Sequence, residues 1–135
     1  MPSTTRQPAR HAFADLLGLH FAEAAPGESN CFIDIDEKLM NPHHVVHGGV
    51  LFSMADTGMG SALYPSLAEG ELCATIEIKI AYFKPVSAGR LTCHTRMTHR
   101  GRRTAHLESE IHNGDALVAK ATGSYAIFKP GAPGH

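Results

Sequence analysis

At 135 residues, with 43% hydrophobic side chains and 13 acidic against 12 basic groups, the chain has the size and charge balance of one globular domain. A net charge of −1 excludes the basic excess of a nucleic-acid binder, and the sequence has neither a polybasic run for a membrane surface nor an apolar stretch of spanning length. The cysteines, Cys31, Cys73 and Cys93, are odd in number and widely spaced, so they read as reduced thiols of a cytosolic protein rather than as a disulfide framework or a paired-thiolate metal motif.

The opening MPSTTRQPAR is short of acids and carries two arginines, faintly like a transit peptide, but it reads first as a frayed start before a small helix. That helix is predicted over ARHAFADLLGL, with Phe13, Leu16 and Leu17 on one face. FAEAAPGESNCFIDID follows as two strands around a Pro26-Gly27 turn, Cys31, Ile33 and Ile35 alternating against Phe32, Asp34 and Asp36. Between Lys38 and Glu69 the chain then holds a single charged side chain, Asp56. The run HGGVLFSMADTGMGSALY is predicted as a helix over about 48–66, and a helix apolar on every side belongs inside a protein. A carboxylate placed there is costly unless it is compensated, and such carboxylates are where general bases and nucleophiles are found.

After the helix, ATIEIKIAYF alternates, Ile76, Ile78, Ile80 and Tyr82 facing one way and Glu77 and Lys79 the other. RLTCHTRMTH sets Leu91, Cys93, Thr95 and Met97 opposite Thr92, His94, Arg96 and Thr98. Gly101 closes a hairpin into TAHLESEIH, whose Ala105, Leu107, Ser109 and Ile111 form its apolar side. Asn113-Gly114 signals a second hairpin into a last strand, ALVAKATGSYAIF, and the Pro/Gly-rich KPGAPGH is expected to lack structure. An antiparallel sheet with one dry face has to be covered, and the 48–66 helix is the only large apolar object available. The expected architecture is therefore α+β, one antiparallel sheet wrapped around one long buried helix, as a single domain over 1–135 with an ordered core of about 10–128.

With Asn41-Pro42, His47-Gly48-Gly49-Val50-Leu51, Asp56 and the later Tyr82-Phe83-Lys84-Pro85 in this order, the chain resembles the hotdog-fold acyl-CoA thioesterases. Within them it looks most like the phenylacetate-pathway and hydroxybenzoyl-CoA group, over roughly residues 10–128. The resemblance implies that the Gly48 N–H stabilises the thioester oxyanion, a task that free N–H groups at a helix start suit. It implies that Asp56 is the nucleophile or the base that activates water, that Asn41 orients water or substrate, and that a hydroxyl early in the next strand, best matched by Thr75, assists. His47 stands in the same catalytic set, where its side chain reads as a structural hydrogen-bonder before a proton carrier.

Gly48 and Asp56 lie roughly 12 Å apart along one helix axis, so a single carbonyl cannot touch both. The shared site at a dimer interface that the resemblance implies is thus also what helix rise demands, and the family's habit adds a homotetramer as a dimer of dimers. Gly49, Ser53, Asp56 and Gly60 follow helical spacing, so small side chains flank the acid and leave room for a thioester. Gly49, Ser53 and Thr57 are candidate substrate contacts, Ser53 and Thr57 serving otherwise as packing or helix hydroxyls. Arg100, Arg102 and Arg103 form either a solvated hairpin tip or a grip on the phosphates of coenzyme A.

One position departs from the pattern: His44 stands where these thioesterases commonly have glycine, at a cost if its backbone is left-handed. His44-x-x-His47, with His43 beside it, has a ligand-like spacing but lacks a partnering Cys, Asp or Glu, so no metal is expected. Hydrolysis of an acyl-CoA to acid and coenzyme A needs no cofactor, coenzyme A entering as part of the substrate. A hotdog hydratase or dehydratase acting on enoyl or hydroxyacyl thioesters, and a non-catalytic acyl-CoA binder, stand as alternatives. The acyl group is left open between aryl and medium-chain species.

Overall fold

A computed structural model describes residues 11–22 and 24–131. The expected frayed start and the end of the Pro/Gly tail lie outside the described residues. The elements run α1 (Ala12–Leu17), β1 (Leu19–Phe21), β2 (Glu28–Asp34), α2 (Gly48–Leu63), β3 (Leu72–Tyr82), β4 (Arg90–Arg100), β5 (Thr104–Asn113) and β6 (Ala116–Phe128), with a 3-10 turn, Tyr64–Ser66, extending α2. The strands form one six-stranded antiparallel sheet in the order β1-β2-β4-β5-β6-β3, and α2 packs on its apolar face. This is the hotdog arrangement. None of the helices among the described residues is long and apolar enough to cross a membrane.

The core is where the two apolar periodicities meet. Val50, Leu51, Met54, Ala55, Gly58, Met59, Ala62 and Leu63 make one broad stripe of α2 that the sheet buries. Ile33, Leu91, Leu107, Ile111 and Val118 face it from four strands. The predicted alternation of β2, β4 and β5 is the observed one, with Leu91, Cys93 and Thr95 buried on β4 and Ala105, Leu107, Ser109 and Ile111 on β5. All three cysteines are free thiols; Cys31 and Cys93 are buried as register partners, and Cys73 is half-buried.

Three expectations change. The helix α2 is not enclosed on all sides: the sheet covers one flank, leaving Gly49 and Phe52 exposed and Ser53, Asp56, Thr57 and Gly60 half-buried along the other. In α1, Phe13 and Leu16 are 50% and 68% exposed, because Ala14 and Leu17, on a parallel stripe at the same three-residue spacing, turn inward instead. In β3 a bulge between Thr75 and Glu77 breaks the alternation and turns Ile76 outward, 56% exposed. The β5–β6 hairpin forms as signalled, with Gly114 at φ 62° after the last β5 residue, Asn113, whose amide donates to the carbonyls of Ala88 and Arg90 at 3.1 Å each.

The bulge matters to the site. By strict alternation Thr75 would share the face of Glu77 and Lys79. The extra residue at Ile76 resets the parity, so Thr75 and Cys73 fall on the same face as Ile78 and Ile80, Cys73 packing against the core and Thr75, still exposed, turned toward Asp56.

Candidate active site

The site begins in the loop ahead of α2. Asn41 Oδ1 accepts from the backbone of His43 at 2.8 Å and of Val45 at 3.4 Å, and the Asn41 N–H donates to the Val45 carbonyl at 2.8 Å. This tight turn places His44 at φ 63°, a left-handed backbone carried by no other non-glycine among the described residues. Asn41 is thus a turn-building residue whose carbonyl oxygen is already occupied. The turn delivers His47 to the helix N-cap, where its Nδ1 accepts from Gly49 N–H at 2.8 Å and its carbonyl accepts from Val50 N–H at 2.9 Å.

Capping leaves one donor over. The N–H groups of Gly49 and Val50 are taken, and among the described residues the Gly48 N–H has no acceptor. Tyr82 of β3 donates its hydroxyl to the Gly48 carbonyl at 2.8 Å, tying the helix start to the sheet edge. A Cβ at Gly48 would meet the Tyr82 ring and hydroxyl at 3.2 Å, so any larger residue here would have to push the Tyr82 ring aside by a few tenths of an ångström. A cavity of about 350 Å³ opens beside it, lined by Val46, Gly48, Leu51, Tyr82, Phe83 and Lys84 among others.

Two turns further along α2, Asp56 is held from the sheet. Thr75 Oγ1 donates to Asp56 Oδ1 at 3.0 Å, and the Tyr125 hydroxyl donates to the same Oδ1 and approaches the Asp56 backbone carbonyl at 2.8 Å. Thr75 on β3 and Tyr125 on β6 are register partners, so the two hydroxyls stand side by side under the helix. Tyr125 is only 3% exposed; burial first, and then its bond to Asp56, raises its hydroxyl well above the usual tyrosine range. The Cys73 thiol is raised too, by burial and then by the Asp56 charge, which keeps it protonated beside the carboxylate.

The remaining predicted residues divide. Ser53 Oγ donates to the Gly49 carbonyl at 2.8 Å, a back-bond within the helix, whereas Thr57 sits half-buried beside Asp56 on the uncovered flank. Arg100 is committed within the fold: its guanidinium donates to the carbonyls of Gly101 and, at 3.4 Å, Ser66, and pairs with Glu71 at 3.4 Å. Arg102 and Arg103 extend from the hairpin tip, exposed. Tyr125 is the contact of Asp56 that the sequence pattern did not single out. Its inward parity, shared with Ala119, Ala121 and Ile127 across Gly123, is readable in β6, but its partner lies 69 positions away.

A curled antiparallel sheet on one long helix, with an unpaired N–H at the helix start and an anchored carboxylate farther along, defines the class of hotdog thioester hydrolases. The thioesterase superfamily model matches residues 43–120, and the chain belongs to that family. It is 29% identical over 103 residues to the acyl-coenzyme A thioesterase PaaI of Escherichia coli, covering 76% of this chain and 71% of that protein. Among solved structures it is similar to the conserved protein PA5202 of Pseudomonas aeruginosa, with TM-score 0.82 and 34% identity over 90% of this chain and 100% of that one. It is also similar to an asparagine-to-aspartate variant of the phenylacetic acid degradation protein PaaI of Thermus thermophilus, with TM-score 0.80 and 27% identity over 86% of this chain and 98% of that one.

Proposed function

We propose that the protein hydrolyses acyl-coenzyme A thioesters to the free acid and coenzyme A, in the cytosol and without a metal or redox cofactor. The observation that carries this reading is the pairing on one helix of an unengaged Gly48 N–H with an Asp56 carboxylate that keeps one oxygen open. The Gly48 N–H, at the positive end of the α2 dipole, stabilises the negative charge that develops on the thioester oxygen. Asp56 either attacks the carbonyl carbon, giving a mixed anhydride that water then cleaves, or removes a proton from the attacking water. In both routes the carbon–sulfur bond breaks and the thiolate of coenzyme A leaves with a proton.

Because the two groups are separated by roughly 12 Å along α2, one thioester meets Gly48 of one subunit and Asp56 of another. The uncovered flank of α2, with its small residues around Asp56, is the surface on which a second copy brings its own helix close, and a dimer of dimers completes the assembly. Asn41 orients the water or the substrate from its turn, Gly49, Ser53 and Thr57 border the acyl-thioester, and Arg102 and Arg103 are free to meet the coenzyme A phosphates. The cavity beside Gly48 accommodates an aryl or medium-chain acyl group.

The test is steady-state release of free thiol from phenylacetyl-, hydroxybenzoyl- and medium-chain acyl-CoAs, with wild type beside a folded Asp56→Ala variant. Turnover that collapses in the variant supports the mechanism and ranks the substrates. No thiol release from any of them, or release indifferent to Asp56, would sink it.

A further inference from the structure

The two oxygens of the Asp56 carboxylate are not equivalent. Oδ1 receives both the Thr75 hydroxyl, at 3.0 Å, and the Tyr125 hydroxyl, while among the described residues no group is bonded to Oδ2. Neither hydroxyl is free to wander. Tyr125 is buried to 3% exposure and also touches the Asp56 backbone carbonyl at 2.8 Å, so its single proton is shared between two acceptors of one residue. Thr75 is brought beneath Asp56 only because the bulge at Ile76 turns it inward.

From this geometry we infer that Tyr125 is a positioning residue of the hydrolytic reaction: with Thr75 it clamps Asp56 Oδ1, so that Oδ2 alone is the reacting atom. The inference rests on the proposed thioesterase reaction and adds to it the residue that aims the acid. Two donors on one oxygen fix both side-chain torsions of Asp56 against a rigid sheet, which a single hydrogen bond would not do. They also occupy the lone pairs of Oδ1, so attack on a carbonyl or capture of a water proton falls to Oδ2, the oxygen left open. Among the described residues the Tyr125 hydroxyl bonds only to Asp56 and to its clamp partner Thr75, so it acts through the acid and not on the substrate. Its raised ionisation keeps it a donor at every pH at which the enzyme would work.

The discriminating variant is Tyr125→Phe, which keeps the buried ring and removes only the hydroxyl. On the best acyl-CoA substrate, kcat is expected to fall roughly tenfold or more while KM stays within about twofold, since substrate contacts are untouched and only the aim of the acid is lost. Thr75→Val is expected to lower kcat in the same way, and Thr75→Ser, which restores a hydroxyl, to retain it. A purely structural role would not divide kcat from KM or distinguish valine from serine. Should Tyr125→Phe fail to fold, the Thr75 pair still decides whether the clamp on Oδ1 governs turnover. An active wild type, a dead Asp56→Ala and full kcat in Tyr125→Phe, or in Thr75→Val, would overturn the clamp while leaving the thioesterase reading intact. A wild type that releases no thiol from any substrate would overturn both.

Discussion

Gly58 lies where α2 passes close over the sheet, and replacing it by alanine tests why the helix lies where it does. A Cβ at Gly58 would stand 2.7 Å from Thr95 Oγ1, well inside van der Waals contact, with Cys93 Sγ at 3.5 Å and Thr95 Cβ at 3.7 Å. Thr95 cannot swing aside cheaply, because it is fully buried and its hydroxyl is bonded to Ser109 Oγ at 2.7 Å. The helix itself is gripped by Ser29, which donates to the Gly58 carbonyl at 2.6 Å. Overpacking of this kind costs about 1–3 kcal/mol, and glycine-to-alanine in a helix interior returns about 1 kcal/mol. Gly58→Ala should therefore lose up to about 2 kcal/mol net, a fall in melting temperature of up to roughly 8 °C for a chain of this length. In a Thr95→Ala background the 2.7 Å obstacle is gone and only the ordinary contact distances remain. There the same substitution should stabilise by about 1 kcal/mol, reversing its sign. The assay is thermal or urea denaturation of the four proteins at one protomer concentration, because any assembly makes the midpoint concentration-dependent. A Gly58→Ala that is stabilising in the wild-type background, or that has the same effect in both, would refute the close-approach argument.

Other outcomes are equally definite. His44→Gly should raise stability by up to about 1 kcal/mol, since φ 63° strains any side chain and glycine's larger unfolded-state entropy offsets only part of the relief; a loss would mean that the His44 side chain makes a compensating contact. His47→Ala should cost about 1 kcal/mol by leaving Gly49 N–H uncapped, whereas His47→Asn should restore most of the stability and keep kcat. A stable His47→Asn variant with collapsed turnover would make the ring a proton carrier instead of a cap. Tyr125 titrates near 10.0 in the unfolded chain and higher in the fold, so its contribution is fully present below about pH 10. As pH rises past that value the unfolded state loses its proton first and stability declines, through to the folded value. Denaturation midpoints between about pH 9 and 11 should fall less steeply in Tyr125→Phe than in wild type, and parallel slopes would contradict the shift.

Much of this protein is legible along the chain because its signals are local. The alternation of Leu91, Cys93 and Thr95 against their polar neighbours, and of Ala105, Leu107, Ser109 and Ile111, reflects a side-chain period of two that each strand carries by itself. The charge-free stretch around Asp56 announces a helix that needs a sheet, and the order Asn41, His47-Gly48-Gly49, Asp56 announces the thioesterase family. Spacing along α2 even separates Gly48 from Asp56, since helix rise is a constant of the backbone. What the chain does not display are relations set by packing between distant segments. Phe13 and Leu16 share an apolar stripe with the same spacing as Ala14 and Leu17, and only docking chooses which stripe is buried.

The bulge at Ile76 exists only in the pairing of β3 with β6, and it alone turns Thr75 from the face of Glu77 and Lys79 toward the carboxylate. Arg100 looks like its neighbours Arg102 and Arg103 until the fold brings Ser66 and Glu71 to its guanidinium. Tyr125 meets Asp56 across 69 residues, a contact that no periodicity encodes. Local propensity and pattern determined which elements form and which residue is the acid. Long-range packing decided which oxygen of that acid is held and which is left open, because only the assembled sheet brings two hydroxyls from different strands to one carboxylate.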